Sequence, residues 1–296
     1  MHTPVLLNES IDGLMIKQGG IYVDCTTNRA GHSIEIAKIL GKDGTLICID
    51  LDQDALLEAD EKLSKLKNHP KLYFIHSNFR YIQDILKSLK ISHVDGVLAD
   101  LGISSEELEN SGRGFSFLRD EPLQMTFDSK PTEDMTTAYD IVNFWNESTI
   151  ADILYGFADE TYRGRIARAI AEYRKGKLIE STKELVDIIY KAVPAFYRYK
   201  KTHFATKTFQ ALRMATNDEL GSVEDLINAL PNILNTKGRA CIITFHSIED
   251  RIVKHAMLAN TDTLKIINKK AIVPQEKELL ENVRARSAQL RIVERI

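Results

Sequence analysis

The sequence predicts an α/β protein whose mostly parallel sheet is interrupted by an all-helical insertion. Through the first hundred residues, short apolar runs rich in β-type side chains alternate with segments of helical spacing. That alternation stops after Phe117 and resumes only at Thr206. Strands that alternate with helices form a sheet covered on both faces, with strands running parallel. The interruption far exceeds ordinary connections of about 4–6 residues, so it reads as a domain.

The elements follow in order. Ile21 to Cys25 is a strand closed by Thr26, Thr27 and Asn28, and Gly31 to Leu40 then carries Ile34, Ile36, Ile39 and Leu40 at helical spacing. Thr45 to Ile49 repeats the pattern and ends at Asp50, after which Ala55, Leu56, Ala59, Leu63 and Leu66 mark one face of a helix. Leu72 to His76, Ile82 to Leu89 and Val94 to Ala99 add a strand, a helix and a strand. Residues 118–205 show helical spacing and no strand. Beyond them the chain offers one long helix from about Thr206 to Leu230, the strand Arg239 to Phe245, a helix from Ile248, and two late strands, Leu264 to Ile267 and Ala288 to Val293, suited to an antiparallel edge. Residues 1–108 and 206–296 are thus expected to build the sheet domain, and 109–205 the helical insertion.

Composition agrees with a folded, compartment-neutral chain. Its 296 residues suffice for one large core and a smaller one, and 44% hydrophobic content with scattered charge excludes disorder. No apolar stretch approaches the roughly 20 residues that span a bilayer. The start, with Glu9 and Asp12, lacks a leader pattern, so a cytoplasmic location without membrane association is expected. Cys25, Cys48 and Cys241 fall in strands without metal-type spacing and read as buried, reduced thiols. The eight histidines form no His-x-x-x-His pair, so no metal site is expected. Charge is uneven within the insertion. Residues 110–160 hold 10 acidic against 3 basic side chains, net −7, and residues 161–204 hold 4 against 11, net +7.

Candidate chemistry sits at the strand ends. In an open α/β sheet, ligands bind outside the carboxyl ends of the strands, so Val94 to Ala99 aims Asp100 at the occupant. Asp50 ends the preceding pattern in the same way, where an acid accepts hydrogen bonds from two ribose hydroxyls. The first loop, Asp24 to Ser33, holds one Gly where G-x-G-x-x-G needs three, which disfavours a pyrophosphate and with it a nicotinamide dinucleotide. S-adenosylmethionine has no phosphate but offers a ribose diol, an adenine and an amino acid end.

These residues carry a family resemblance. The runs are His2-Thr3-Pro4-Val5-Leu6-Leu7, Tyr22-Val23-Asp24, Gly31-His32-Ser33, Asp50-Leu51-Asp52, Asn78-Phe79, Asp100-Leu101-Gly102-Ile103-Ser104-Ser105, Arg113-Gly114-Phe115-Ser116-Phe117, Ala205 to Arg213, Asn217-Asp218-Glu219-Leu220, Phe245-His246-Ser247-Ile248-Glu249-Asp250-Arg251 and Arg284 to Ala288. In that order and over nearly the whole length, the chain resembles the RsmH (MraW) methyltransferases, which transfer methyl from S-adenosylmethionine to the N4 amine of a cytidine in the decoding region of small-subunit (16S) ribosomal RNA. The resemblance implies a class I methyltransferase fold, Rossmann-like, with an inserted all-α domain. It implies cofactor contacts from Ala30, Gly31, His32, Asp50, Phe79, Asp100 and Glu107, the last where the family usually has Gln.

The chain departs from that pattern in two motifs. Asn28 and Ala30 stand where the family has Gly, and Ala30 is expected to resist the positive φ a glycine would take. In Pro122 to Asp128, Gln124 and Thr126 stand where a carboxylate and a guanidinium are usual. Lys207 replaces the usual Arg, keeping charge but losing bidentate geometry. The departures motivate an alternative, a non-catalytic or retargeted relative that acts as an RNA- or ribosome-binding assembly factor.

For transfer to an exocyclic amine the site must accept hydrogen bonds from the amine and hold the reacting atoms in line. Asp100, Ser105 and His246 are the catalytic candidates, His246 having a structural hydrogen bond to the following loop as its other reading. Ser104, Arg113, Phe115, Gln210, Arg213 and Asn217 are the substrate candidates, the last three recurring at helical spacing. The target base must be unstacked or single-stranded. Phe196 to His203 interleaves aromatics and cations, as RNA-binding surfaces do and as solvated linkers also can. A net charge of −3 with one basic region favours a structured partner, small-subunit ribosomal RNA or the assembled small subunit, over free nucleic acid. Sequence leaves monomer and homodimer open.

Overall fold

The computed structural model describes residues 4–132 and 135–296. His2 and Thr3 of the first family run, and the side chain of Ser105, lie outside the described residues. The chain forms two compact units, residues 1–102 with 220–296 and residues 103–219.

The first unit is built on a seven-stranded sheet. Its strands are β1 (Ile21–Asp24), β2 (Thr45–Asp50), β3 (Lys71–His76), β4 (Val94–Asp100), β5 (Leu234–Thr244), β6 (Leu264–Ile266) and β7 (Gln289–Arg295), in the order β3-β2-β1-β4-β5-β7-β6. β1 to β5 pair in parallel, and β7 lies antiparallel between β5 and β6. This is the α/β fold that the alternation predicts and the class I methyltransferase resemblance implies. Apolar residues cover both sheet faces. Val23, Ile47, Val97, Ala99 and Ile242 belong to one core with Leu226 and Leu230, whereas Leu46, Leu98 and Ile243 point into another with Ile36 and Leu40. Two-sided burial is what unbroken Val, Ile and Leu runs encode.

Register decides where chemistry can sit. Asp24 pairs with Cys48 and Leu98, Asp50 with His76, and Asp100 with Ile243, so these acids all end parallel strands at one edge. From β1 the order runs through β2 to β3 on one side and through β4 to β5 on the other. The β1/β4 boundary is therefore the topological switch point, where open sheets leave a crevice.

The second unit has its own core, with Ile141, Ile150, Leu154, Ile166, Ile170, Leu185 and Ile189 fully buried. Three of its helices start on side-chain caps: Ser104 with Glu107, Thr137 with Asp140, and Ser181 accepting from the Glu184 amide. Gly114 shows why glycine is needed there. It has φ +79°, and a Cβ would lie 2.1 Å from the Pro122 carbonyl oxygen. That close approach lets Glu121 Oε2 accept from the Gly114 amide at 2.9 Å while the Glu121 amide donates to Thr182 Oγ1 at 3.0 Å.

Two elements differ from expectation. The single helix expected over Thr206 to Leu230 is two helices, Thr206–Thr216 and Glu219–Ile233, because Asp218 between them takes φ +44°. The first of these packs Phe209, Ala211 and Leu212 into the second unit's core, so that unit extends to residue 219 instead of ending at 205. β5 also starts earlier than Arg239, at Leu234. All three cysteines are buried and free. No helix among the described residues is long and apolar enough to cross a membrane.

Candidate functional site

At the switch point, the first loop is pinned to its neighbours by backbone bonds. Cys25 N–H donates to Leu98 O at 2.8 Å and Thr27 N–H to Ile49 O at 3.0 Å. The loop then turns through two left-handed residues, Asn28 (φ +45°) and Ala30 (φ +64°). Asn tolerates that conformation, and Ala adopts it against a penalty of about 1–2 kcal/mol. The expectation that Ala30 resists positive φ is thus met by a backbone that imposes it: Ala30 N–H is held by Thr27 O at 2.8 Å, and the methyl is fully buried. Gly31 opens the helix Gly31–Leu40, where a Cβ would come within 2.5 Å of Pro4 Cγ. Glycine here lets the amino-terminal segment cross the helix start.

Asp50 accepts from the Asn28 amide at 2.7 Å and the Asp52 amide at 2.9 Å, which orients its carboxylate at the end of β2. Phe79, half-buried, begins the 3₁₀ turn Phe79–Tyr81, whose cap Asn78 is tied to Ser222 Oγ at 3.0 Å. Its ring packs at the edge of the sheet's core.

Asp100 is the centre of the arrangement. Its amide donates to Thr26 Oγ1 at 2.6 Å, fixing the end of β4 against the first loop. Its Oδ1 is buried without a hydrogen-bond partner among the described residues. Oδ2 lies 3.8 Å from His32 Nδ1, too far for a hydrogen bond. His32 is held from the other side, since Nε2 donates to the Val5 carbonyl at 3.0 Å. Burial, reinforced by the neighbouring carboxylates Asp24 and Glu249, holds the Asp100 carboxyl well above the usual acid range.

Asp24 and Glu249 are functional candidates that the sequence reading passed over. Asp24 is 1% exposed, accepts from Ser33 Oγ at 2.5 Å and from the Thr26 amide at 3.2 Å, and is pushed up to about 6 by burial against those two bonds. Its signal was the one that marked Asp50 and Asp100, an acid closing an apolar strand. Glu249 is 2% exposed, and its Oε2 accepts from the Phe245 amide at 2.9 Å while its Oε1 lies 2.9 Å from His246 Nε2. His246 Nδ1 accepts from the Glu249 amide at 3.2 Å, so His246 is the side-chain cap of the helix Ser247–Ala259, with Glu249 answering it as in a capping box. The His-x-x-Glu spacing was the available clue.

The acids at this edge suit one kind of ligand. A buried carboxyl with an unused oxygen, raised by two other acids, is stabilised by a cation or a multiple N–H donor. S-adenosylmethionine brings an ammonium, a sulfonium and a ribose diol, which matches Asp24, Asp100 and Asp50 as a set of acceptors. Among the described residues no group of three or more His, Cys, Asp or Glu is disposed to hold a metal ion.

The remaining candidates belong to the second unit, where three of them are engaged with one loop. Arg113, 6% exposed, donates from Nη1 to Thr126 O at 3.0 Å and Phe127 O at 2.5 Å. Asn217 donates to Met125 O at 2.8 Å and accepts from the Phe127 amide at 2.7 Å. Phe115 stacks on Phe127 with centroids 5.8 Å apart. Arg213 forms a two-pronged pair with Glu219 at 2.7 and 2.9 Å, and Gln210 donates to Phe157 O at 3.2 Å. Ser104 and Glu107 close the capping box of the helix Ser105–Asn110. Arg113, Arg213 and Asn217 therefore present fewer free donors than a solvated polar stripe would.

Comparison with known proteins places these features in a larger group. Residues 1–296 match the model of the MraW methylase family. The chain is 44% identical over 312 aligned residues to ribosomal RNA small subunit methyltransferase H of Clostridioides difficile (strain 630), covering 100% of this chain and 99% of that protein. It is 43% identical to the protein of the same name from Brevibacillus brevis, covering 100% and 98%. It is 44% identical to that from Thermosipho africanus over 296 residues, again covering 100% and 98%.

Proposed function

The chain belongs to the MraW methylase family over its full length, and we propose that it transfers methyl from S-adenosylmethionine to the N4 amine of a cytidine in the decoding region of small-subunit ribosomal RNA. The observation that carries this reading is Asp100, a strand-end acid at the switch point that is a quarter exposed and whose buried Oδ1 is unpaired among the described residues, in a chain that matches rRNA methyltransferases from end to end. The departures at Asn28, Ala30, Gln124 and Thr126 do not favour the non-catalytic alternative, since the relatives at 43–44% identity carry the enzyme's name throughout.

When bound, the cofactor supplies a methyl group on an electron-poor sulfonium. The protein's part is binding, alignment and removal of one proton. Asp50 accepts hydrogen bonds from the ribose hydroxyls, and Phe79 gives its ring to the adenine. Ala30, Gly31 and His32 bring the backbone at the start of the helix Gly31–Leu40 to the amino acid end, with Glu107 as the remaining contact on the cofactor side. Asp24 and Asp100 compensate the positive charge, and in return the cation restores both to the ionised form.

The Asp100 carboxylate then accepts a hydrogen bond from the target amine. The amine's lone pair is delocalised into the ring, so holding the nitrogen by its N–H turns the lone pair toward the methyl. After transfer the nitrogen carries an extra proton, which the Asp100 carboxylate takes. An acid whose own environment raises its pKa is a competent acceptor. His246 with Glu249 fixes the end of β5 beside it. Ser104, Ser105 and Phe115 are the proposed contacts to the base, and Arg113, Gln210, Arg213 and Asn217 bear on the RNA through the loop and helices they hold.

The substrate is small-subunit ribosomal RNA, bare or in the assembled subunit, and the place of action is the cytoplasm. Mass spectrometry of small-subunit rRNA from cells with and without the gene tests the reading. N4-methylcytidine should disappear with the gene, and its persistence would overturn the assignment.

A further inference from the structure

The helical unit carries an exposed aromatic face that the chemistry at the strand ends leaves unused. Phe196 and Tyr199 are 65% and 83% exposed, and they stand three residues apart at the short helix Ala195–Arg198. Large rings in water cost free energy unless something covers them.

Phe196 is mounted on a fixed base, and Tyr199 follows it in the chain. Tyr162 meets Phe196 edge-on at 6.4 Å and Tyr197 at 4.8 Å. Tyr197 is buried and donates its hydroxyl to Glu160 Oε2 at 2.7 Å, and the fully buried Glu160 also accepts from the Tyr162 amide at 2.7 Å. Cations lie between the rings. Arg165 sits over Tyr162 at 5.8 Å and Lys200 over Tyr197 at 4.9 Å, and Lys201 follows, exposed.

The charge balance selects the occupant. Residues 161–204 are net +7 in a chain of net −3, so positive charge is concentrated in this stretch of the sequence. A polyanion with flat faces answers both features, because bases stack on aromatic rings while phosphates meet the cations.

We propose that Phe196 and Tyr199, with Arg165, Lys200 and Lys201 around them, form a stacking platform for single-stranded RNA flanking the methylated nucleotide. The proposal rests on the ribosomal RNA reading and deepens it, assigning RNA affinity to a face that takes no part in methyl transfer.

The test uses the full chain, fluorescence anisotropy with a fluorescein-labelled oligouridylate, and methylation of isolated small subunits. Phe196→Ala with Tyr199→Ala should weaken oligouridylate binding by about tenfold or more, the worth of one lost stacking contact at least. Lys200→Gln with Lys201→Gln should flatten the slope of log affinity against log salt by about 1.4, at roughly 0.7 per phosphate for single strands. Calorimetric S-adenosylmethionine affinity should stay at the wild-type value in both, which also reports on folding. A ring variant that binds oligouridylate as wild type does overturns the platform. So does a ring variant that keeps oligouridylate affinity but loses methylation of small subunits, since a ribosomal protein is then the partner. Wild-type protein that binds oligouridylate through these rings but methylates no subunit would sink the enzymatic reading and leave the platform standing.

Discussion

Replacing Asp24 by Asn should stabilise the cofactor-free protein near neutral pH and have little effect near pH 4. The carboxyl is 1% exposed and its pKa is pushed from the ordinary 3.8 to about 6. For an acid with a raised folded-state value, the native chain holds a proton that the unfolded chain has released, so stability is full below about pH 4 and lost as pH rises through about 6. Two units at about 1.4 kcal/mol each give roughly 3 kcal/mol of destabilisation from this one group above pH 6. Asparagine removes the ionisation. It keeps an oxygen to accept the Thr26 amide and gains an N–H that can donate to Ser33 Oγ, the two partners Asp24 has now. Urea unfolding of wild type and variant at matched pH removes every group that does not feel Asp24, leaving its own ionisation and the relief of its neighbour Asp100. The stability gap should open by up to about 3 kcal/mol between acid and neutral pH. A gap that does not change with pH, or a variant weaker than wild type near neutrality, would refute the account of Asp24 as an acid strained by burial. Saturating S-adenosylmethionine should close the gap again, since a cation beside Asp24 repays the buried charge.

Asp100→Asn should leave thermal stability intact or improved while lowering methyl transfer to small subunits by about 100- to 10,000-fold, the range for a lost general base; near-wild-type turnover would remove Asp100 from the chemistry. Asp50→Ala should weaken calorimetric S-adenosylmethionine affinity by about 100-fold or more, from two hydrogen bonds to a charged acceptor, and unchanged affinity would move the ribose elsewhere. Gly114→Ala should cost at least about 2 kcal/mol in thermal melts, combining positive φ with a Cβ 2.1 Å from a carbonyl oxygen; a silent substitution would mean the turn at Pro122 yields freely.

The strands of the sheet domain were legible because a strand buried on both faces needs an unbroken apolar run, and Thr45 to Ile49 and Val94 to Ala99 are such runs. Their closing acids were legible for a related reason: a carboxylate abutting an apolar strand has few structural uses. The split at Asp218 was not legible. The residues on either side keep helical spacing, and only the tertiary bonds of Asn217 to Met125 and Phe127 reveal why the helix stops there. Burial was hidden in the same way. Apart from the His246-x-x-Glu249 spacing, nothing local distinguishes Glu249, sealed against Phe245 and His246, from an ordinary acid in the first turn of a helix. Side chains carried over by resemblance, such as Arg113, gave position but not partner.

The loop that carries Gln124 and Thr126 is held through its backbone by the residues around it. Gln124 Nε2 donates to Thr126 Oγ1 at 2.7 Å, and that hydroxyl donates to Asp128 O at 2.9 Å, so the two unusual residues satisfy each other. Thr126 is 3% exposed. Around them, Arg113 and Asn217, both from runs shared with the family, grip the carbonyls of Met125, Thr126 and Phe127. Those grips act on backbone and do not depend on which side chains the loop carries. Exchanging a charged pair for a neutral one therefore changes what the loop offers a ligand without releasing the loop. The cost of the departure should fall on RNA recognition at this one place, and the acids at the ends of β1, β2 and β4 are held by bonds that none of these residues makes.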